Sequence, residues 1–325
     1  MQAVTRLPLI ALTLLLLGVT PARAYIAYVT NERDDTMSVI DLDQMKTIQT
    51  VPVGQRPRGI TMTRDGKEIL ICASDDDTIQ IVDPKTLRVT GDLPSGPDPE
   101  TFALHVSGNP LYVSNENDNL VTIIDVPARK MIAQMPTGVE PEGMGVSPDG
   151  KTIVNTSETT NMAHFFDVAS RKLVASVLVG ARPRIAEFRP DGAEVWVSSE
   201  LGGTVSVIDP EKHVVTHKVE FAVQGIRAEG IQPVGIRFTP DGTTAFVALG
   251  PANRVAVVDT KTYAVTKYLL VGQRVWQMAF TPDSKYLLTT NGLSNDISVI
   301  DVAGLTVVKS IPVGRLPWGV VVAPR

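Results

Sequence analysis

Cysteine is nearly absent from this chain: Cys72 stands alone among 325 residues, so no intramolecular disulfide can form and no CxxCH haem attachment exists. A basic excess is absent too, with 30 Lys and Arg against 35 Asp and Glu and a formal charge of -5. That balance argues against general nucleic-acid binding, which draws its affinity from basic surface meeting phosphates. Beyond the first 24 residues there is no long apolar run, so no membrane insertion is expected. No nucleophile elbow, P-loop or dinucleotide fingerprint occurs, and His105, His213 and His217 show no metal-ligand pattern. What is present is 43% hydrophobic and 20% charged residues, the composition of a globular chain that can bury a core by packing alone.

The first 24 residues differ from the rest. Arg6 gives a short basic start, residues 7–19 form an apolar run containing "LTLLLLGV", and "ARA" at 22–24 supplies the small residues of a cleavage site. This reads as a secretory signal peptide cut before Tyr25, leaving residues 25–325 as one domain. No Cys lies beside the cut to take a lipid. Losing Arg6 and Arg23 leaves 28 basic against 35 acidic residues, a charge of -7.

Self-similarity then fixes the organisation. The segments "TMSVID", "TIQIVD", "LVTIID", "MAHFFD", "TVSVID", "RVAVVD" and "DISVID" end at Asp41, Asp83, Asp125, Asp167, Asp209, Asp259 and Asp301, with spacings of 42, 42, 42, 42, 50 and 42 residues. The extra eight residues fall within "FAVQGIRAEGI". A Gly follows each Asp after thirteen residues in six copies, then a Pro three residues on, with Val275 the exception. Each unit holds four short runs of β-branched and aromatic residues separated by Gly, Pro, Asn and Asp. A fixed period of this length predicts an all-β fold, a seven-bladed β-propeller of four-stranded antiparallel blades. The mature sequence opens on a second-strand run ("AYVT") and finishes on a first-strand run ("WGVVVA"), so pairing of the N-terminal strands with the C-terminal strand is expected to close the ring.

In such a ring the Gly-x-x-Pro loops and the hairpins between second and third strands share one face, at the mouth of the central channel. Residues that differ between blades at one aligned position are where specificity can be written. Seventeen residues after each repeat Asp, allowing for the insertion, stand Arg58, Glu100, Glu142, Arg184, Val234, Trp276 and Trp318. Two residues earlier stand Arg56, Asp98, Glu140, Arg182, Gln232, Arg274 and Leu316. The charged and aromatic members, with Arg315 beside them, form the expected site for a small solute or a protein partner. Trp276 and Trp318 are its exposed anchors. The competing readings are solvated loop residues and, for the tryptophans, a plug packed across the channel. A further ring, nine residues before each Asp, offers Glu32, Glu116, Glu158 and Glu200, which could hold a hard cation or be simple hairpin polarity. Glu187 and Arg237 occupy equivalent positions on adjacent inner strands and are placed to pair across the channel. The repeat Asp residues are expected to cap turns, and no catalytic constellation emerges.

The stretches "AYVTNERDDTMSVIDL" and "VPVGQRPRGITMTRDGK" resemble the YVTN family of β-propeller repeats. "LPSGPDPE", "VNTSETTNMAHFFD", "VALGPANRVAVVD", "VGQRVWQMAFTPD" and "LLTTNGLSNDISVID" are similar to the more specific family of PQQ-dependent catabolism-associated β-propeller proteins, over the whole mature chain. Departures are "VSGN" at 106–109, Ser284 in place of Gly, and the insertion. The resemblance implies a non-enzymatic periplasmic accessory protein that serves alcohol oxidation by pyrroloquinoline quinone (PQQ) dehydrogenases, with their components or those of an ABC transporter as partners. It does not imply that this chain binds PQQ or any other cofactor: the dehydrogenases resemble longer, eight-bladed propellers whose PQQ sites use a vicinal disulfide, which Cys72 cannot form. A lactonase-type hydrolase on a propeller and a purely structural scaffold are the alternatives.

Overall fold

Valine, isoleucine and threonine, stiff at χ1 and suited to a pleated surface, fill the repeated runs, and each run ending in Asp is the third strand of a four-stranded antiparallel sheet. The computed structural model describes residues 25–324; the expected signal peptide lies outside the described residues. Blade 1 is assembled from both ends of the chain. The C-terminal strand Pro317–Pro324 pairs with Tyr25–Asn31, followed outward by Thr36–Asp41 and Lys46–Pro52. Blades 2 to 7 follow in sequence order, with innermost strands Pro57–Met62, Pro99–Leu104, Pro141–Val146, Pro183–Phe188, Ile236–Phe238 and Val275–Phe280. This is the seven-bladed propeller, closed by its N- and C-terminal strands, that the repeat spacing predicts. Among the described residues helix is confined to the 3-10 turns Ser74–Asp76 and Ala228–Gly230, and none there is long and apolar enough to cross a membrane.

The core lies between blades, where the face of one sheet meets the next. Ile26 and Tyr28 of blade 1 pack with Ile69 and Ile71 of blade 2, and Trp196 of blade 5 with Val247 and Phe238 of blade 6. The Trp196 and Phe238 rings meet edge to face at 5.1 Å. Each such fully buried side chain contributes about 1.5–3 kcal/mol relative to exposure. The repeat Asp residues form turns: Asp41 Oδ1 accepts from the N–H groups of Asp43 and Gln44 at 3.0 and 2.9 Å, and Asp83, Asp209 and Asp259 do the same for the two residues that follow them by two and three. The inserted segment lays Phe221, Val223 and Ile226 on the core shared by blades 5 and 6.

Two devices hold the inner strands together. Hydroxyls on the second strands donate across the blade boundary to carbonyls of the next inner strand: Thr30 to Arg58 (2.7 Å), Thr156 to Arg184 (2.9 Å), Ser198 to Val234 (2.6 Å) and Thr290 to Trp318 (2.7 Å). The residues two past the proline position run Gly59, Thr101, Gly143, Ile185, Gly235, Gln277 and Gly319 around the ring, small and large alternating except where Gly319 adjoins Gly59. A Cβ on any of these four glycines would stand 1.9–2.9 Å from a carbonyl oxygen of the neighbouring blade. Side chains there are excluded because backbone already fills the space.

Candidate functional site

The loops into the inner strands of all blades but blade 6 make the same two local moves. First, the residue before the proline position is left-handed: Arg56, Asp98, Glu140, Arg182, Arg274 and Leu316 have φ between 49° and 58°. A non-glycine residue there costs about 1–2 kcal/mol. The hairpin of the preceding blade offsets it, because the N–H groups of Arg56, Arg182 and Arg274 donate to Asp35, Asn161 and Asn253 side-chain oxygens at 2.9, 3.0 and 2.8 Å. Second, the inner strand bulges directly after its first residue: Pro57 pairs with Ala73 but Ile60 with Ile71, leaving one extra residue, and blades 3, 4, 5 and 7 repeat this. A bulge re-aims the side chains it carries. Here it turns Arg58, Glu100, Glu142, Arg184 and Trp276 into the mouth.

Together these side chains close the mouth with ion pairs. Arg56 contacts Asp75 (2.7 Å), Glu100 (3.1 Å) and Asp98; Arg58 contacts Glu32 (3.2 Å) and Glu100. Across the mouth Arg184 contacts Glu142 (2.8 Å), Glu158 and Glu200 (3.7 Å), and Arg182 contacts Glu158 (2.7 Å) and Glu200 (3.5 Å). Arg274 joins Glu200 and donates to Gln232 Oε1 at 2.6 Å. Glu100, Glu142, Arg184 and Glu200 are at most 4% exposed. Burial alone would release protons from Arg58 and Arg184, but the surrounding glutamate charges outweigh it and hold both guanidiniums above their ordinary range.

The tryptophans overturn one expectation, since they are packed and not exposed. Trp318 is 3% exposed with the Arg58 guanidinium 5.8 Å from its ring centre, and the half-buried Trp276 lies under Arg274 at 4.1 Å with Arg184 at 5.8 Å. Arginine over an indole face is an attractive cation–π contact. The space for Trp276 comes from its own blade's hairpin, where Gly292 occupies the position of Glu32, Glu116, Glu158 and Glu200; a Cβ at Gly292 would fall 2.5 Å from Trp276 Nε1. The substitutions at 276 and 292 are therefore coupled. Two other candidates lie outside the network: Glu140 turns to the Thr159 hydroxyl, and Arg315 sits on the rim against Asp34.

Of the four hairpin glutamates considered for a cation, three are held by arginines and only Glu116 is not. Its carboxyl approaches Asp98 and Glu100, the three offering ligand oxygens within 4.8 Å of one another. Eight carboxylates (Glu32, Asp75, Asp98, Glu100, Glu116, Glu142, Glu158, Glu200) face five guanidiniums (Arg56, Arg58, Arg182, Arg184, Arg274), an excess of three negative charges. Bound protons reduce that excess, and two groups are disposed to hold them. Burial, then the charge of Glu100 and a hydrogen bond with it, push the Glu116 carboxyl up to about 7. Burial raises Glu142 well above the usual carboxylate range in spite of Arg184. A carboxyl raised on folding binds a proton that the unfolded chain releases, so its stabilisation is complete below about pH 4.5 and is lost as pH climbs through about 7. For the partly solvated Glu116 this amounts to about 1 kcal/mol after screening. Urea unfolding is expected to give greater stability at about pH 5.5 than at pH 8, with the difference reduced in Glu116→Gln.

No family model matches the chain, and no curated protein matches it. Solved structures do. Hydrazine synthase of Kuenenia stuttgartiensis is 21% identical with a TM-score of 0.73, the match covering 83% of this chain and 95% of that one. A protein of unknown function from Desulfotomaculum acetoxidans is 16% identical with a TM-score of 0.79, over 92% and 99% of the two chains. A protein from Bacteroides uniformis, provisionally named a 6-phosphogluconolactonase, is 16% identical with a TM-score of 0.77, over 93% and 100%. At these identities the likeness is one of fold. The chain is a β-propeller protein.

Proposed function

We propose that this protein is a non-enzymatic periplasmic binding protein that docks a protein partner on its Gly-x-x-Pro face, in the service of PQQ-dependent alcohol catabolism and its ABC transport system. One observation supports docking there: Val139, Leu201 and Leu293 stand 44%, 63% and 63% exposed on that face, around a floor whose guanidiniums are all engaged by carboxylates. Apolar side chains presented together on a rigid surface gain by being covered. The floor supplies rigidity, because Arg56, Arg58, Arg182 and Arg184 each bridge carboxylates from different blades. Arg182 and Arg315, 45% and 64% exposed, add positive charge to the rim and favour a partner with acidic groups around an apolar centre. The pathway assignment rests on the family resemblance, and secretion on residues 1–24. PQQ in this reading belongs to the partner's system.

The test is surface plasmon resonance of the secreted chain against the purified dehydrogenase and the transporter's solute-binding subunit. Leu201→Asp with Leu293→Asp is expected to weaken binding by at least about tenfold at unchanged melting temperature. Unaltered affinity would reject this face. Turnover of any lactone in a panel by the purified chain would reject the non-enzymatic reading.

A further inference from the structure

Behind the charged mouth the inner strands of all seven blades enclose a cavity of about 450 Å³. Its size is that of a small-molecule site. Trp318 and the ion-pair network close it on the mouth side, while Val106 and Pro148, in the turns after the inner strands of blades 3 and 4, mark its opening toward the opposite face. Phe102, Met144, Val146 and Phe188 supply the apolar part of the wall, while polar atoms supply the larger share of its exposed surface.

Two polar features of that wall point to a ligand. Gln277 is 6% exposed, and its Nε2 has no hydrogen-bond partner. A buried donor left unsatisfied costs about 1–3 kcal/mol. The architecture does not demand it: four blades place glycine at this level, and Thr101 of blade 3 uses its hydroxyl on the Glu142 carbonyl. Gly235 of blade 6 leaves room for the amide, since a Cβ there would stand 3.1 Å from Gln277 Oε1. The second feature is the expected pair across the channel. Arg237 meets Glu187 at 3.0 Å, with about a third of each side chain open (33% and 30%). Burial raises the Glu187 carboxyl while Arg237 opposes the rise. The pair presents a donor and an acceptor with no net charge.

We infer that this cavity is a binding site for a small neutral amphiphile, with an apolar chain against the aliphatic and aromatic wall and a head that both accepts and donates hydrogen bonds, as a primary amide or an alcohol does. Gln277 Nε2 and the Arg237 guanidinium donate to the head, and Glu187 accepts from it. A carboxylate head would add an uncompensated charge to a cavity whose ion pair is already neutral, and is disfavoured. The site is separate from the docking face and opens on the other side of the ring, so the two can be tested independently.

Calorimetric titration of the secreted chain with hexanamide is expected to show saturable one-to-one binding, with hexanoate at least about tenfold weaker at neutral pH. Gln277→Leu should weaken hexanamide by about tenfold, the effect of one lost buried hydrogen bond. Val146→Trp, which fills the cavity, should abolish binding while leaving partner binding at the mouth unchanged. The site is overturned if hexanamide fails to saturate the wild-type chain, or if both variants bind it as wild type does. Equal affinity for hexanoate would overturn the neutral-head assignment.

Discussion

Arg184→Met is expected to lower the unfolding free energy by about 3–5 kcal/mol at neutral pH, the usual cost of removing one partner from a buried ion pair. Arg184 is 4% exposed, and its guanidinium is shared by Glu142, Glu158 and Glu200. Without it Glu158 and Glu200 keep Arg182 and Arg274, but Glu142 loses its guanidinium in a water-poor mouth, where protonation is what removes its charge. The loss should therefore shrink on acidification to about pH 5, and Arg184→Met combined with Glu142→Gln should recover part of it. Urea unfolding of the three proteins measures this. A loss below about 1 kcal/mol, within the range of exposed pairs, would mean that water reaches the network.

Gly143→Ala is the second large effect, and it is steric. The added Cβ would stand 1.9 Å from the Arg184 carbonyl oxygen and 2.8 Å from Thr156 Oγ1, the hydroxyl that donates to that same carbonyl. Backbone belonging to another blade cannot swing aside as a flexible side chain can, so the two inner strands must separate. The cost is expected at the upper end for overpacking, about 3 kcal/mol. Gly230→Ala serves as the control: its Cβ would meet only Ile226 Cγ2 at 3.1 Å, and a loss of about 0.5 kcal/mol is expected. Equal melting temperatures for the two variants would show that the inner strands are less tightly apposed than described.

The blade plan is legible in the sequence because each unit carries the same local instructions. Asp at the end of a third strand forms a turn, and Gly and Pro thirteen and sixteen residues later shape the loop into the next blade. Counting from Asp41 to Asp301 therefore locates every inner strand, and equal register on neighbouring strands already places Glu187 opposite Arg237. The mouth is legible only as a roster of positions. Nothing local to Arg58 or Glu100 shows that they meet, because one comes from blade 2 and the other from blade 3, and the bulge that turns both inward is specified by backbone pairing and not by residue type. The tryptophans are misread for the same reason. Seen alone, Trp276 in a loop looks exposed, whereas the absent side chain at Gly292, Arg274 of its own loop and Arg184 of blade 5 give it a place to pack. Asp75 was missed because its position in the blade-2 hairpin is one past Ser74, outside the ring compared between blades; its contact with Arg56 depends on the 3-10 turn at Ser74–Asp76.

The alternation of small and large residues around the inner strands obeys a parity rule. Six or eight blades could alternate perfectly; seven cannot, so two small neighbours must fall together at one boundary. Here the mismatch is Gly319 beside Gly59, in the blade completed by both ends of the chain and at its junction with the next. Thr30 bridges it with a hydroxyl, accepting from Gly319 N–H at 2.9 Å and donating to the Arg58 carbonyl at 2.7 Å. An odd count has thus concentrated the thinnest part of the inner wall at the place where the circle is joined, and a single threonine spans it.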